Sequence, residues 1–410
     1  MQGAKNSALP ILAAAAAVKG KSVIHHCPDL SDVESTLHIL EYLGCAVSRQ
    51  GGTILVDSSA MTGCCVPEQL MREMRSSISF LGPLLAAAGR AELSQPGGCP
   101  IGRRPIDIHV DAMRALGVHI SEEEGSLVCD AGGGLRGARF ELPFPSVGAT
   151  ENLMIAAATA QGATVITNAA REPEIVDLAE FLNACGACIH GAGDSTIVID
   201  GVPRLHGAEH TVIPDRIMAV TFLCAAAITG GELLLRDAQL SHMDAMLAAL
   251  GHAGCRLRRC SNGGVHLRMQ GRLRHLPALR TMPYPGFPTD AQAVFIALAS
   301  VAEGTSMVAE TIFEDRFRHV EQLREMGASI RVEGRVAVID GMTRLHGARV
   351  DACDLRAGAA LVTAGLAAEG ETRVRNIEYI DRGCYRLEED LRALGAVIAR
   401  ETKEIAQTTT

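Results

Sequence analysis

Gly201-Val202-Pro203-Arg204-Leu205-His206-Gly207-Ala208 returns almost unchanged as Gly341-Met342-Thr343-Arg344-Leu345-His346-Gly347-Ala348. A near-copy within one chain marks an internal repeat, which constrains architecture before any local reading does. Outward from these two stretches, an Ala/Leu-rich helical segment closing on glycine recurs six times: Lys5 to Gly20, Arg75 to Gly89, Gly148 to Gly162, Arg216 to Gly230, Asp290 to Gly304, and Arg356 to Gly370. The closing glycines are spaced by about 70 residues, longer than a solenoid unit but regular. A β-rich run follows each, such as Ser22-Val23-Ile24 or Thr164-Val165-Ile166. Next comes a second, amphipathic helix with a shared ending, as in Tyr42-Leu43-Gly44-Cys45, Ala115-Leu116-Gly117-Val118, Met326-Gly327-Ala328 and Ala393-Leu394-Gly395-Ala396. Glycine there suits the left-handed turn that closes a helix, and short strands such as Ile197-Val198-Ile199-Asp200 come after.

The chain therefore holds six α/β units, and its length places three in each of two similar lobes. The unit order of strand, helix, strand, helix, strand, strand mixes parallel and antiparallel pairing, unlike a doubly wound sheet. The Ala/Leu helices are apolar almost all round, so they are expected inside each lobe with sheets around them.

Composition narrows the function classes. Apolar residues make up 48% of the 410, aromatics only 3%, and Trp is absent, which argues against an aromatic nucleic-acid platform. A net charge of −9 argues against non-specific binding to nucleic acid or anionic membrane, so an anionic substrate needs a local basic site. The apolar run Ala8 to Val18 is too short to span a membrane and lacks a signal peptide's cleavage region, pointing to a core helix in a cytoplasmic protein. Thirteen cysteines, an odd number without secretory features, argue for free thiols. Cys185 and Cys188 have zinc-knuckle spacing but no second pair, and Cys64-Cys65 has no partner either, so no metal site is expected. The tail from Thr402 is expected to fray.

Polar residues gather at the starts of the six apolar helices: Lys5-Asn6, Arg75-Ser76, Ser146-Val147-Gly148, Asp215-Arg216, Thr289-Asp290, and Asp354 with Arg356. Asp215, Asp354 and Ser146 fit ordinary caps. Lys5 and Arg75 do not, because the helix dipole already makes that end positive. Cations there suit a bound anion that also meets free backbone N–H groups, so a cleft between facing lobes would form a polyanion site. Asp290 follows the stiff turn Tyr284-Pro285-Gly286-Phe287-Pro288, which fixes its position and favours function over capping. A last stretch, Gln95-Pro96-Gly97-Gly98-Cys99-Pro100-Ile101-Gly102-Arg103-Arg104-Pro105, reads as a surface loop. Its cysteine lies beside two arginines that favour the thiolate.

Seven ordered motifs carry a resemblance across nearly the whole chain. They are Gly3-Ala4-Lys5-Asn6, Pro96 to Cys99, Arg104-Pro105-Ile106-Asp107-Ile108-His109, Pro145 to Asn152, Arg171 to Asp177, Pro285 to Asp290, and Ile380 to Gly383. Together they resemble the UDP-N-acetylglucosamine 1-carboxyvinyltransferase family, the enolpyruvyl transferases that open bacterial peptidoglycan synthesis. The resemblance implies an inside-out α/β barrel fold, two lobes each of three βαβαββ units around buried helices. Lobe 1 would run from 5 to 213 and carry the Cys99 loop. Lobe 2 would comprise 1–4 plus 214–410 and carry Asp290 with the phosphoenolpyruvate-binding arginines.

Site roles follow from the same resemblance. Cys99 matches the loop cysteine that donates a proton to C3 of phosphoenolpyruvate, and Asp290 the base at the sugar 3-hydroxyl. Lys5, Arg104 and Arg382 match cations around the phosphate, Lys5 also being counted as catalytic. Arg316 and Arg356 match those at the carboxylate. Asn6 and Arg75 fall in the substrate site. Arg104, Pro105, Ile106, Asp107 and Ile108, with Ser146, Val147 and Gly148, match uridine diphosphate contacts, and Ile312 a further sugar-nucleotide contact. The implied partners are the two small-molecule substrates, with no cofactor, metal, nucleic acid, membrane or obligate protein partner. The chemistry is consistent, since two polyanionic substrates need converging Arg and Lys and addition to an enol ether needs an acid and then a base.

The related shikimate-pathway enolpyruvyl transferase shares the architecture. It usually begins Gly-Ser-Lys-Ser and lacks the cysteine loop. A non-catalytic sugar-nucleotide-binding paralogue is disfavoured because Cys99 and Asp290 are both present. One departure stands out, because the family carries a strand of lobe 2 before Gly-Ala-Lys-Asn, and here only Met1-Gln2 precedes that motif. The expectation is an open sheet edge, one fewer crossing between lobes, a loosely held Lys5, and reduced stability or activity.

Overall fold

The computed structural model describes residues 1–94, 96, 97, 106–123, 125–260 and 263–401. Cys99, Arg104, Pro105 and the tail from Thr402 lie outside them.

The six apolar segments are the buried helices of the molecule: Lys5–Ala14, Leu81–Ala88, Val147–Ala157, Arg216–Ile228, Thr289–Ala299 and Leu355–Gly365. Residues Ala149 to Ala157, for instance, are buried without a break, as a helix apolar on every face requires. Two hydrophobic cores result, one drawn from Ala4 to Val212 and the other from Ile217 to Leu391.

Glycine punctuates both helix sets. The closing glycines Gly20, Gly89, Gly162, Gly230, Gly304 and Gly370 all have positive φ. Gly89 caps its helix directly, whereas others, such as Gly162, lie beyond a further turn. The second helices end in one repeated Schellman turn. Gly44 N–H donates to Glu41 O and Cys45 N–H to Leu40 O, and the same pair of bonds recurs at Gly117, Gly186, Gly254, Gly327 and Gly395. The Leu-Gly and Met-Gly endings mark four of these turns, and Gly186 and Gly254 complete the set.

One helix departs from expectation. The segment from Arg75 begins as a 3-10 turn, Arg75–Phe80, and becomes α-helical only at Leu81. The cause is Asn152 on a neighbouring helix, whose Oδ1 accepts from Gly82 N–H at 2.7 Å while its Nδ2 donates to Ile78 O at 3.1 Å. A Cβ on Gly82 would lie 2.3 Å from Asn152 O, so glycine permits the approach.

Sheets surround the helices, with four of one plan. In the first, Lys21–His25 pairs parallel with Glu209–Thr211 and antiparallel with Thr53–Asp57, which pairs with Ala46–Gln50. Sheets centred on Arg90–Ser94, Ala163–Thr167 and Thr305–Ala309 repeat that plan. In the fifth, Glu232–Leu235 pairs only with Gly264–Arg268 and is an edge among the described residues. The sixth unit has two short parallel pairs, Leu345–His346 with Ala368–Glu369 and Arg349–Asp351 with Arg373–Arg375.

The strand Glu209–Thr211 precedes the first helix of the second core yet completes the first sheet of the first. Beside it the N-terminus crosses, with Ala4 N–H donating to Ile213 O and Asp215 N–H to Gln2 O. Buried polar pairs stitch the seam. Glu174 of the first core receives two bonds from Arg216 of the second, at 2.9 and 3.2 Å. Glu172 accepts from Tyr284 N–H at 3.2 Å. Glu151, buried in the Val147–Ala157 helix, has its carboxyl pushed up to about 8 by burial and by Glu174 and Glu172.

Two outcomes follow. Removing either partner of Glu174–Arg216 strands a buried charge, so Glu174→Met or Arg216→Met should each cost about 3–5 kcal/mol in urea denaturation. The double variant should lie closer to the parent. Glu151 binds its proton more tightly folded than unfolded, so parent stability should fall as pH rises from the ordinary 4.5 to about 8. Glu151→Gln lacks that slope, and its urea midpoint should gain on the parent's across this window.

Candidate functional site

Asp290 sits in the first turn of the Thr289–Ala299 helix, and three side chains converge on it. Asn6 Nδ2 donates at 3.2 Å, Arg316 Nη2 at 3.0 Å and Arg356 Nη2 at 2.8 Å. The two guanidiniums are buried, while the Asp290 side chain keeps 26% exposure. Burial alone would raise the carboxyl's pKa, but Arg356 and Arg316 outweigh it and hold Asp290 well below the usual range. Asp354 caps its helix through bonds from Arg356 and Ala357 N–H at 2.8 and 3.0 Å, which also fixes the root of the Arg356 side chain. Glu310 fixes the other side, accepting from Thr289 Oγ1 and from the amides of Ile312 and Phe313.

The second cation group centres on Asp32. It pairs with Lys5 Nζ at 2.6 Å and with Arg382 Nε at 2.8 Å. Lys5, 8% exposed, is therefore firmly anchored, which corrects the expectation of a loose hold. Its backbone N–H also points at Asp215 Oδ2, 3.4 Å away, and Gln2 bonds to Gly383 O and Tyr385 N–H, so the N-terminus is tied down on both sides. Asp215 otherwise caps its own helix at 2.8 and 2.9 Å. Asp32 neighbours Lys5 and Arg382, and Arg382 and Arg356 both act on Lys5 electrostatically. Lys5, Asn6, Asp290, Arg316, Arg356 and Arg382 thus form one cluster at the seam, built around two carboxylates.

A second set gathers on the first lobe. Asn152 Nδ2 meets His109 Nδ1 at 3.0 Å and donates to Gly148 O at 3.3 Å, besides its bonds to Ile78 and Gly82. This one amide ties together the segments bearing Arg75, Ile106 to Ile108, and Ser146 to Gly148. A Cβ on Gly148 would lie 3.1 Å from the His109 ring. Ser146 caps its helix by accepting from Ala149 N–H at 3.4 Å. Arg75, half-buried, has no ion-pair partner among the described residues, and burial lowers its pKa. Ile312, half-buried, borders the first cluster through Glu310. Of the cysteine loop, the foot is described: Gly97 N–H donates to Met71 O at 2.9 Å, and a Cβ there would lie 1.8 Å from Arg72 O.

Two cavities elsewhere, of about 640 and 1880 Å³, contain none of these residues. Among the described residues no group of side chains could hold a metal ion, every cysteine is a free thiol, and no helix is long and apolar enough to cross a membrane.

Sequence reasoning missed Asp32, Asn152 and Glu310. Asp32 looks like any first-turn acid favoured by the helix dipole. Asn152 could have been found, because an amide in an otherwise apolar buried helix needs partners. Asn152→Ala would strand Gly82 N–H and Ile78 O, costing about 1–3 kcal/mol for each buried group left unpaired. Its melting temperature should fall, as thermal denaturation would show.

The family model for EPSP synthase (3-phosphoshikimate 1-carboxyvinyltransferase) matches residues 1–391. UDP-N-acetylglucosamine 1-carboxyvinyltransferase 2 of Caldanaerobacter subterraneus subsp. tengcongensis is 52% identical over 400 residues, covering 98% of this chain and 95% of that protein. UDP-N-acetylglucosamine 1-carboxyvinyltransferase 1 of Symbiobacterium thermophilum is 50% identical over 406 residues, covering 98% and 91%. Among solved structures, the enolpyruvyl transferase NikO from Streptomyces tendae superposes with a TM-score of 0.87 at 27% identity, covering 97% of this chain and 94% of that one. EPSP synthase from Acinetobacter baumannii, at 20% identity and a TM-score of 0.74 over 98% and 96% of the chains, shares the fold. The two-core architecture and these likenesses agree: the chain belongs to the EPSP synthase family of carboxyvinyltransferases and, within it, groups with the UDP-N-acetylglucosamine 1-carboxyvinyltransferases.

Proposed function

We infer that the protein transfers the enolpyruvyl group of phosphoenolpyruvate to the 3-hydroxyl of UDP-N-acetylglucosamine, releasing phosphate in the first committed step of peptidoglycan synthesis. The observation that carries this reading is the Asp290 carboxylate bridging Asn6 and two buried arginines where the lobes meet. That arrangement stands in a chain about half identical to carboxyvinyltransferases of that name. Lobe 1 spans 5–213 in this reading and lobe 2 spans 1–4 plus 214–410, acting in the cytoplasm without cofactor or metal.

Arg316 and Arg356 take the substrate carboxylate, and Lys5, Arg104 and Arg382 its phosphate. Arg75, the segment from Arg104 to Ile108, Ser146 to Gly148 and Ile312 hold the sugar nucleotide. A substrate carboxylate that draws Arg316 and Arg356 away from Asp290 removes the charges that depress its pKa, so binding itself makes the base stronger. Asp290 then takes the 3-hydroxyl proton as the oxygen bonds to C2, while Cys99 protonates C3. A C3 proton then goes to the thiolate that Cys99 became, its C–H electrons form the C2–C3 double bond, and the C2–O bond to phosphate breaks, the cations stabilising the departing anion.

Phosphate release measured with phosphoenolpyruvate and UDP-N-acetylglucosamine tests this. Cys99→Ala should lose about 100-fold or more in turnover, the range for a general acid. Full activity in that variant removes Cys99 from the acid role. A parent inactive with this pair but active with shikimate 3-phosphate moves the assignment to the shikimate-pathway reaction.

A further inference from the structure

Asp32 does not act as an ordinary first-turn acid. It stands in the first turn of the Ser31–Tyr42 helix, where an acid normally faces its own free amides. Instead its carboxylate, with 5% side-chain exposure, receives Lys5 Nζ at 2.6 Å and Arg382 Nε and Nη2 at 2.8 and 3.3 Å. Lys5 belongs to the first core's leading helix and Arg382 follows the Glu378–Asp381 turn of the second lobe, so one carboxylate bridges the seam.

We propose that Asp32 is a positioning residue for the phosphate half of the reaction, keeping Lys5 charged and aligned with Arg382 before the anion arrives. This rests on the reading of Lys5 and Arg382 as phosphate-binding cations. A buried ammonium tends to shed its proton, and burial is the strongest influence on Lys5, driving its pKa down. Arg382 and Arg356 push the same way, and Asp32 is the main opposing charge. Two further acidic groups face Lys5. Asp215 is committed to helix capping and the Lys5 backbone N–H, and the buried Cys384 thiol has its pKa raised to about 12 and so carries no charge at neutral pH. With Asp32 in place, the trio of Lys5, Arg382 and Asp32 retains a net positive charge, which attracts phosphate while each cation is held in place. Among the described residues, no other carboxylate forms an ion pair with Lys5 Nζ.

The test is the pH profile of kcat/KM for phosphoenolpyruvate, with saturating UDP-N-acetylglucosamine, for the parent, Asp32→Asn and Asp32→Glu. Asp32→Asn should move the alkaline limb down by about one pH unit or more, since a unit is worth only about 1.4 kcal/mol of lost interaction. The gap from the parent should be narrowest at pH 6, and the melting temperature should fall because the buried Lys5 and Arg382 lose their shared counter-charge. Asp32→Glu should keep the parent limb and raise KM. An Asn profile of parental shape, merely scaled down at every pH, overturns the proposal. Should the Asn variant not fold, a Glu variant whose limb shifts downward overturns it equally. Lys5→Ala and Arg382→Ala in the same assay separate the two ideas. If neither raises KM for phosphoenolpyruvate, the reading of the phosphate site fails. If both do and the Asn limb is unmoved, only the role of Asp32 fails.

Discussion

Burying a cation at the positive end of a helix is doubly unfavourable, and the whole architecture turns on how that is compensated. Burial strips water from Lys5, Arg316 and Arg356, and a buried charge without a partner is costly. Two carboxylates answer this across the seam. Asp290 of the second lobe takes Asn6 and two arginines, and Asp32 of the first takes Lys5 and Arg382. Each bond set joins parts of both lobes, so the charges that would bind substrate also define how the lobes meet.

The arrangement suits a ligand that brings its own anions. Asp290 and Asp32 act as internal counter-ions, and a substrate carboxylate or phosphate can take over part of their role without leaving any cation unpaired. The site stays preorganised at little cost in reorganisation. Electrostatic balance also explains how a chain of net charge −9 can host polyanions. The positive charge is local: Lys5, Arg316, Arg356 and Arg382 outnumber Asp32 and Asp290 where the lobes meet.

Much of this was legible in the sequence because it rests on repetition. Six apolar helices and their glycines are periodic features, and each glycine occupies a left-handed position that other residues resist. The cations Lys5 and Arg75 stood out because they oppose the dipole. What stayed hidden depends on contacts far apart in sequence. Asp32 meets Arg382 across nearly the full chain, and Asn152 reaches back to Ile78 and Gly82. Neither local propensity nor spacing encodes such a meeting. The 3-10 start at Arg75 was invisible for the same reason, since an amide on another helix imposes it. The loose hold expected for Lys5 failed because Asp32, not a neighbouring strand, supplies the anchor.

The strand Glu209–Thr211, which closes the first sheet against Lys21–His25, has a consequence for how the protein is made. The first sheet lacks its parallel partner until residue 211 has emerged from the ribosome, long after the strands it joins. Pairings so distant in sequence carry a heavy loop-closure burden and form late. The first lobe is thus completed only as synthesis of the second begins, and chains interrupted before that point would display an unpaired strand edge to chaperones and to one another.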